Sequence, residues 1–214
     1  MLSIFMDKDM IELFNNEYKE DYKGWNKHCI VNGKVETYSG PGSLLSNTEN
    51  LIENLQEFIK DNEIKSIVDV PCGDFNYMKE VDLEGIDYKG YDVSFNAIER
   101  CKKYKKDNIN FEVLDATKDS LPYADLIICK DLFLHLSLDN ISLILKNIID
   151  SKCKYFATSR YEGGSKGNNS NSSAQARPIE VTRDPFNFDY PIVSQFRYTI
   201  KSNLQDEIII FKIN

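Results

Sequence analysis

Ser66-Ile67-Val68-Asp69-Val70-Pro71-Cys72-Gly73-Asp74-Phe75 is the stretch that decides the fold. Ile67, Val68 and Val70 are apolar and β-branched, the composition of a buried strand. The strand runs straight into a Gly-Asp corner. Glycine there admits positive φ and lets a ligand approach bare backbone. A second strand, Tyr88-Lys89-Gly90-Tyr91-Asp92, follows and ends in an acid. That acid lies about twenty residues beyond the corner, a spacing at which a carboxylate can hold a pair of ribose hydroxyls. Together these features predict a nucleoside-containing ligand at the carboxyl edge of an α/β sheet.

Working outward, apolar strands alternate with helices. Strands are predicted over 65–70, 87–92, 109–114, 124–130 and 154–158, with helices over 47–62, 94–105 and 139–151 and a short one over 76–81. Leu51, Ile52, Leu55, Phe58 and Ile59 recur at helical spacing. Near-continuous apolar strands between helices indicate a parallel sheet covered on both faces. The chain closes with two strand-like runs, 195–200 and 207–213, read as a hairpin on the far edge. The fold class is therefore α/β and Rossmann-like, with a seven-stranded, mostly parallel sheet and an antiparallel C-terminal edge strand. Residues 9–22 read as a helix that Gly24-Trp25-Asn26 breaks. Residues 1–46 are expected to cap the ligand, and 47–214 to form the core. A long lid-like insertion, 160–192, contains the low-complexity run 163–173.

The 214 residues suit one such domain, at 42% hydrophobic and 28% charged. A net charge of −8 argues against a nucleic-acid partner, which needs Lys and Arg in excess. The basic run 100–106 reads as a solvated helix end after an N-cap at Ser94. Cys29, Cys72, Cys101, Cys129 and Cys153 form no CxxC pair, a reduced, cytoplasmic pattern without a readable metal site. The start, Met1-Leu2-Ser3-Ile4-Phe5-Met6-Asp7, lacks signal-peptide features, and no apolar run approaches membrane-spanning length. The sequons at Asn168 and Asn171 are read as chance matches.

Three successive strands end in acids on one edge: Asp69, Asp92 and Asp115. Downstream, Lys130-Asp131-Leu132-Phe133-Leu134-His135 offers chemistry. A helical turn starting at Asp131 would put His135 on the same face, and the acid would then orient the imidazole and raise its basicity. Arg160 and Tyr161 follow the fifth strand on the same edge and suit an anionic or hydroxylated acceptor. Arg177 and the aromatic segment 184–191 read as an ordered flap. The aromatics, like Trp25, could stack on a sugar or staple the flap to the core.

The sequence resembles the class I S-adenosylmethionine (SAM)-dependent methyltransferases, through the Val68–Asp74 corner, Asp92, Leu114-Asp115-Ala116 and Cys129-Lys130-Asp131. More narrowly, it resembles a bacterial group associated with surface-polysaccharide (capsule or O-antigen) biosynthesis. Ser39-Gly40-Pro41-Gly42-Ser43, Asp131 with His135-Leu136-Ser137, Arg177-Pro178 and Pro185-Phe186-Asn187-Phe188 carry that narrower likeness. The resemblance implies SAM as cofactor. Gly73 and Asp74 would line its methionine part, Asp92 would hold the ribose, and Asp115 with Ala116 the adenine. Ser39, Gly40 and Ser43 would close over it, with Asp69, Pro71, Cys72 and Lys130 completing the set. Phe75 and Asn76 stand where many methyltransferases carry further glycines, which also weighs against a nicotinamide cofactor.

The expected activity is methylation of a hydroxyl on a sugar or sugar-derived precursor. His135 and Asp131 would be catalytic, and Arg160, Tyr161 and Arg177 substrate-binding. No metal, nucleic acid or membrane is expected, and the oligomeric state is not read. The alternatives are methylation of another small, possibly phosphorylated, metabolite and a non-catalytic SAM-binding partner subunit.

Overall fold

The apolar runs fold as the centre of one sheet in the computed structural model, which describes residues 8–22, 24–161, 164–169, 176–199 and 205–214. Strands β1 (Ser66–Asp69), β2 (Asp87–Asp92), β3 (Ile109–Val113), β4 (Leu126–Cys129) and β5 (Tyr155–Tyr161) run parallel. β6 (Ile192–Thr199) and β7 (Gln205–Lys212) form the closing hairpin. The order across the sheet is β3-β2-β1-β4-β5-β7-β6. The last strand, β7, thus inserts antiparallel between β5 and β6, and the outermost place goes to β6. The antiparallel C-terminal strand was expected at the edge; it lies one position in. Strand order reverses at β1, between β2 and β4, and such a switch point opens a crevice at the strand ends.

Alternation along each strand builds the two cores. Ile127 and Cys129 of β4 pack with Val68, Ile141, Ile144 and Ile148 on one face. Leu126 and Ile128 pack with Ile67, Leu51, Leu55 and Phe58 on the other. Each fully buried Leu or Ile contributes about 1.5–3 kcal/mol. The helices α2 (Leu45–Asp61) and α4 (Leu138–Asp150) therefore cover opposite faces. Ser94 caps α3 (Phe95–Cys101), accepting from the Ala97 amide at 3.2 Å, and Ser137 caps α4 from the Asn140 amide at 3.2 Å. α1 (Lys8–Glu17) contributes Met10 and Phe14 to the α4-side core.

Several local expectations shift. The helix over 94–105 breaks at Cys101 and continues as a 3-10 turn, Lys102–Tyr104. The helix over 76–81 is a single 3-10 turn, Met78–Glu80. A small hairpin, Ile30–Val31 with Lys34–Val35, was not anticipated. Its turn, Asn32-Gly33, has φ of +50° and +77°, the geometry that an Asn-Gly pair favours. Phe188 packs edge-on against Phe156 and Phe211, so the 184–191 aromatics staple that segment to the core. Residues 1–7 and 170–175, with much of the run 163–173, lie outside the described residues. All five cysteines are free and buried. Among the described residues no helix is long and apolar enough to cross a membrane.

Asp69 ends β1 inside the protein, 0% exposed, with the Tyr88 hydroxyl donating to it at 2.7 Å. Burial pushes its pKa up to about 7, against the Tyr88 bond. An unfolded aspartate loses its proton near ~4. Between those values the folded chain holds the extra proton, so stability falls as pH rises through about 7. Asp69→Asn cannot ionise. In scanning calorimetry its melting temperature should rise relative to the parent chain by roughly 5 °C on going from about pH 5 to about pH 8. A difference that stays constant with pH would contradict this account.

Candidate active site

Beyond β1 the chain turns at Gly73, with φ of +55°, and Phe75, with φ of +64°. Asp92, at the end of β2, fixes that corner. One of its oxygens accepts the Gly73 amide at 3.1 Å and the other the Ser94 amide at 2.8 Å. One carboxylate thus ties the glycine corner to the start of α3. Burial raises Asp92 to about 6, against the two amide bonds.

The N-terminal segment folds over this corner and is clamped by Asp74. That carboxylate accepts from Thr37 Oγ1 at 2.8 Å, the Tyr38 amide at 2.7 Å and Ser39 Oγ at 2.8 Å. Ser39 in turn accepts the Asp74 amide at 2.9 Å. Further along, the Lys130 ammonium donates to the Gly42 carbonyl at 2.9 Å, and Asn76 Nδ2 to the Ser43 carbonyl at 2.8 Å. Arg100 leaves the basic run to lie 3.4 Å over the Tyr38 ring, and its Nε donates to the Tyr18 carbonyl at 2.8 Å. It serves the cap rather than a solvated helix end.

Between cap and sheet edge lies a cavity of about 370 Å³. Of the predicted cofactor residues, Ser39, Gly40, Ser43, Pro71, Cys72, Gly73, Asp92 and Lys130 line it. Four do not. Asp69 is sealed beneath the corner, and Asp74 is spent on the Thr37–Ser39 clamp. Asp115 folds back on its own turn, accepting Thr117 Oγ1 at 2.6 Å and pairing with Lys118 at 2.7 Å. Ala116 packs into the α4-side core. Asp readily bonds its own downstream backbone, and that local preference took Asp115. Asp115, Ala116 and Asp74, expected at the adenine and methionine ends of the cofactor, are thus not among the residues that line this cavity.

At the other end, Asp131 lines the cavity within a dense network. Its carboxylate accepts Ser159 Oγ at 2.8 Å and the Tyr161 hydroxyl at 2.7 Å, and it pairs with Lys130, itself almost wholly buried. The expected helical turn from Asp131 to His135 does not form. Asp131 has φ of +54°, and the turn begins later, at Phe133–His135. His135 lines the cavity instead by stacking on Trp25, ring centroids 5.2 Å apart, with Phe14 edge-on at 6.0 Å. Burial pushes its pKa down to about 4; Asp131 pulls upward and Arg177 pushes further down. The predicted rise in basicity is thus reversed, because desolvation outweighs the nearby acid.

Tyr161 and Arg177 line the cavity, while Arg160 turns away to pair with Glu207 of β7 and to donate to Gln195 of β6. Arg160 is not among the cavity-lining residues where an acceptor contact was expected: Glu207, directly opposite on the neighbouring strand β7, claims the guanidinium. Sequence reasoning missed Phe14, Tyr18, Tyr77, Val93 and Asp206 as lining residues. Val93 could have been found from its place beside Asp92. Asp206 carries no local signal.

The strand order, the crevice at its reversal and an acid closing β2 can be set beside known proteins. The sequence matches no protein-family profile and no curated protein. Among solved structures, the chain is similar to magnesium protoporphyrin IX methyltransferase from Synechocystis PCC 6803 with bound SAM. The TM-score is 0.69 at 10% identity, over 98% of each chain. It is also similar to the N-methyltransferase NodS from Bradyrhizobium japonicum WM9 with S-adenosyl-L-homocysteine, at TM-score 0.62 and 12% identity, over 78% of this chain and 87% of that one. The methyltransferase domain of bacterial Hen1 matches at TM-score 0.57 and 12% identity, over 76% and 98%. This is the class I methyltransferase fold. At such identities the likeness is one of fold, and the site must be argued from its own residues.

Two measurements check the geometry. Asp74→Ala removes three hydrogen bonds to the cap and should destabilise the protein by about 2–3 kcal/mol in urea unfolding. Hydrogen exchange should quicken at Tyr38 and Ser39; unchanged protection there would refute the clamp. An NMR titration should place the His135 midpoint near 4, and lower still in Asp131→Asn, where the acid's attraction is gone. A midpoint in the ordinary histidine range would show that burial does not govern this imidazole.

Proposed function

We propose that the protein is a SAM-dependent methyltransferase acting on a hydroxyl of a sugar or sugar-derived precursor of a bacterial surface polysaccharide. Asp92 carries the reading: within a methyltransferase fold it faces the cavity from the end of β2, beside the Gly73 corner. The site also fits the ligand. About 370 Å³ lies within the ~300–1,000 Å³ of small-molecule sites. Phe14, Trp25, Val93, Leu132 and Leu134 give apolar walls, and Asp92 and Asp131 supply negative charge for a cationic ligand.

SAM, when bound, supplies a methyl group on a positively charged sulfur. Asp92 would take the ribose hydroxyls, and Val93 would wall the base. Ser39, Gly40 and Ser43 would close over the ligand and exclude water, with residues 1–46 as cap and 160–192 as lid. His135, neutral at physiological pH, would accept a hydrogen bond from the acceptor hydroxyl, and Asp131 would hold Lys130 and Tyr161 in place around it. Positioning of this kind can lower a barrier by several kcal/mol. The sugar acceptor is supported by the ordered set of motifs shared with the polysaccharide-associated group. Five buried free thiols agree with a cytoplasmic setting.

Calorimetry with S-adenosylhomocysteine tests the reading. Micromolar binding is expected, weakened about tenfold or more in Asp92→Asn through the lost charged acceptor. In the parent protein affinity should decline as pH falls through about 6, where Asp92 takes up its proton, and Asp92→Asn should lose that dependence. Equal affinity for both proteins at every pH would remove Asp92 from the site.

A further inference from the structure

Asp206 and Arg177 line the cavity, and each carries one buried polar atom with no hydrogen-bond partner among the described residues: Asp206 Oδ1 and Arg177 Nη1. Buried polar atoms in folded proteins are almost always satisfied, since an unmet one costs about 1–3 kcal/mol. One of these is an acceptor and the other a donor.

Both belong to built surroundings. Asp206 lies near the start of β7 opposite Tyr161 of β5 and is only 3% exposed. Burial raises it to about 6, with Asp131 adding to the rise and Lys130 opposing it. Arg177 is fixed from behind. Its Nε donates to the Gly167 carbonyl at 3.2 Å, its Nη2 to the Leu136 carbonyl, and its amide to the Leu134 carbonyl at 3.2 Å. Those bonds use one side of the guanidinium and leave Nη1 over. Asp131 and His135 line the same cavity; Asp131 acts on both Asp206 and His135, and Arg177 acts on His135.

From this pairing we infer that Asp206 and Arg177 form the acceptor subsite, and that the acceptor is a hydroxylated anion. Its hydroxyl donates to Asp206, and a phosphate or carboxylate oxygen receives Arg177. The inference rests on the methyltransferase reading and narrows it. A neutral sugar would leave the guanidinium unmet, and a bare anion would leave the carboxylate unmet. A phosphorylated sugar meets both, and charge-assisted hydrogen bonds of this kind are the strong ones. The methionine end of SAM, with its ammonium and carboxylate, has the same complementary chemistry, so the experiment must separate the two sources.

The test titrates S-adenosylhomocysteine into the parent protein, Asp206→Asn and Arg177→Gln, then glucose-1-phosphate into each loaded protein, following heat in a calorimeter. Nucleoside affinity should agree across the three proteins within about twofold, while both variants bind glucose-1-phosphate about tenfold or more weakly than the parent. Glucose and inorganic phosphate, each with half of the complement, should bind the parent more weakly than the sugar phosphate. A tenfold loss of nucleoside affinity in either variant would assign the pair to the methionine end and overturn the proposal. So would glucose-1-phosphate binding that the substitutions leave unchanged, or no binding to the loaded parent, which would leave water as the partner of both atoms. Failure of the parent to bind the nucleoside would instead sink the methyltransferase reading itself.

Discussion

The Asp92 carboxylate, shared between the Gly73 and Ser94 amides, is the contact on which the working edge depends. It joins the end of one strand, the corner after its neighbour and the start of a helix. At a corner with positive φ at two nearby residues, this external tie adds to the turn's own bond from the Phe75 amide to the Cys72 carbonyl at 3.1 Å. With the corner fixed, Asp74 faces the N-terminal segment and draws it across the crevice. Cap, corner and sheet edge then enclose one space.

Enclosure sets the electrostatics. Asp69, Asp92 and Asp206 are all pushed upward by burial, and His135 is pushed down. The same desolvation acts on opposite charge types, in each case favouring the neutral form. The Lys130–Asp131 pair, held by Ser159, Tyr161 and the Gly42 carbonyl, keeps its charges in place through hydrogen bonds on both partners. The cavity therefore combines a weakly basic imidazole, a buried acid able to titrate near neutrality and a guanidinium with one nitrogen left over.

Much of this was legible in the sequence, because it depends on near neighbours. Apolar runs marked the parallel strands, Ser94 marked a helix start, and Asp92 marked the second strand end. The acids that misled are instructive. Asp115 met its needs within its own turn, and Asp74 met them from a segment more than thirty residues earlier. Both follow a strand on the same sheet edge; the partner differed. Asn32-Gly33 was a readable hairpin signal between two short apolar runs.

The sequence by itself determined the layered sheet, its parallel direction and the acid-tipped crevice, since periodicity and turn chemistry act over a few residues. Only the tertiary structure decided which side chains share the cavity. Burial and pairing between β5 and β7 turned Arg160 away toward Glu207, brought Asp206 in from a distant strand and made His135 neutral rather than basic. Those outcomes depend on desolvation and on contacts between residues far apart in the chain, and a linear pattern carries neither.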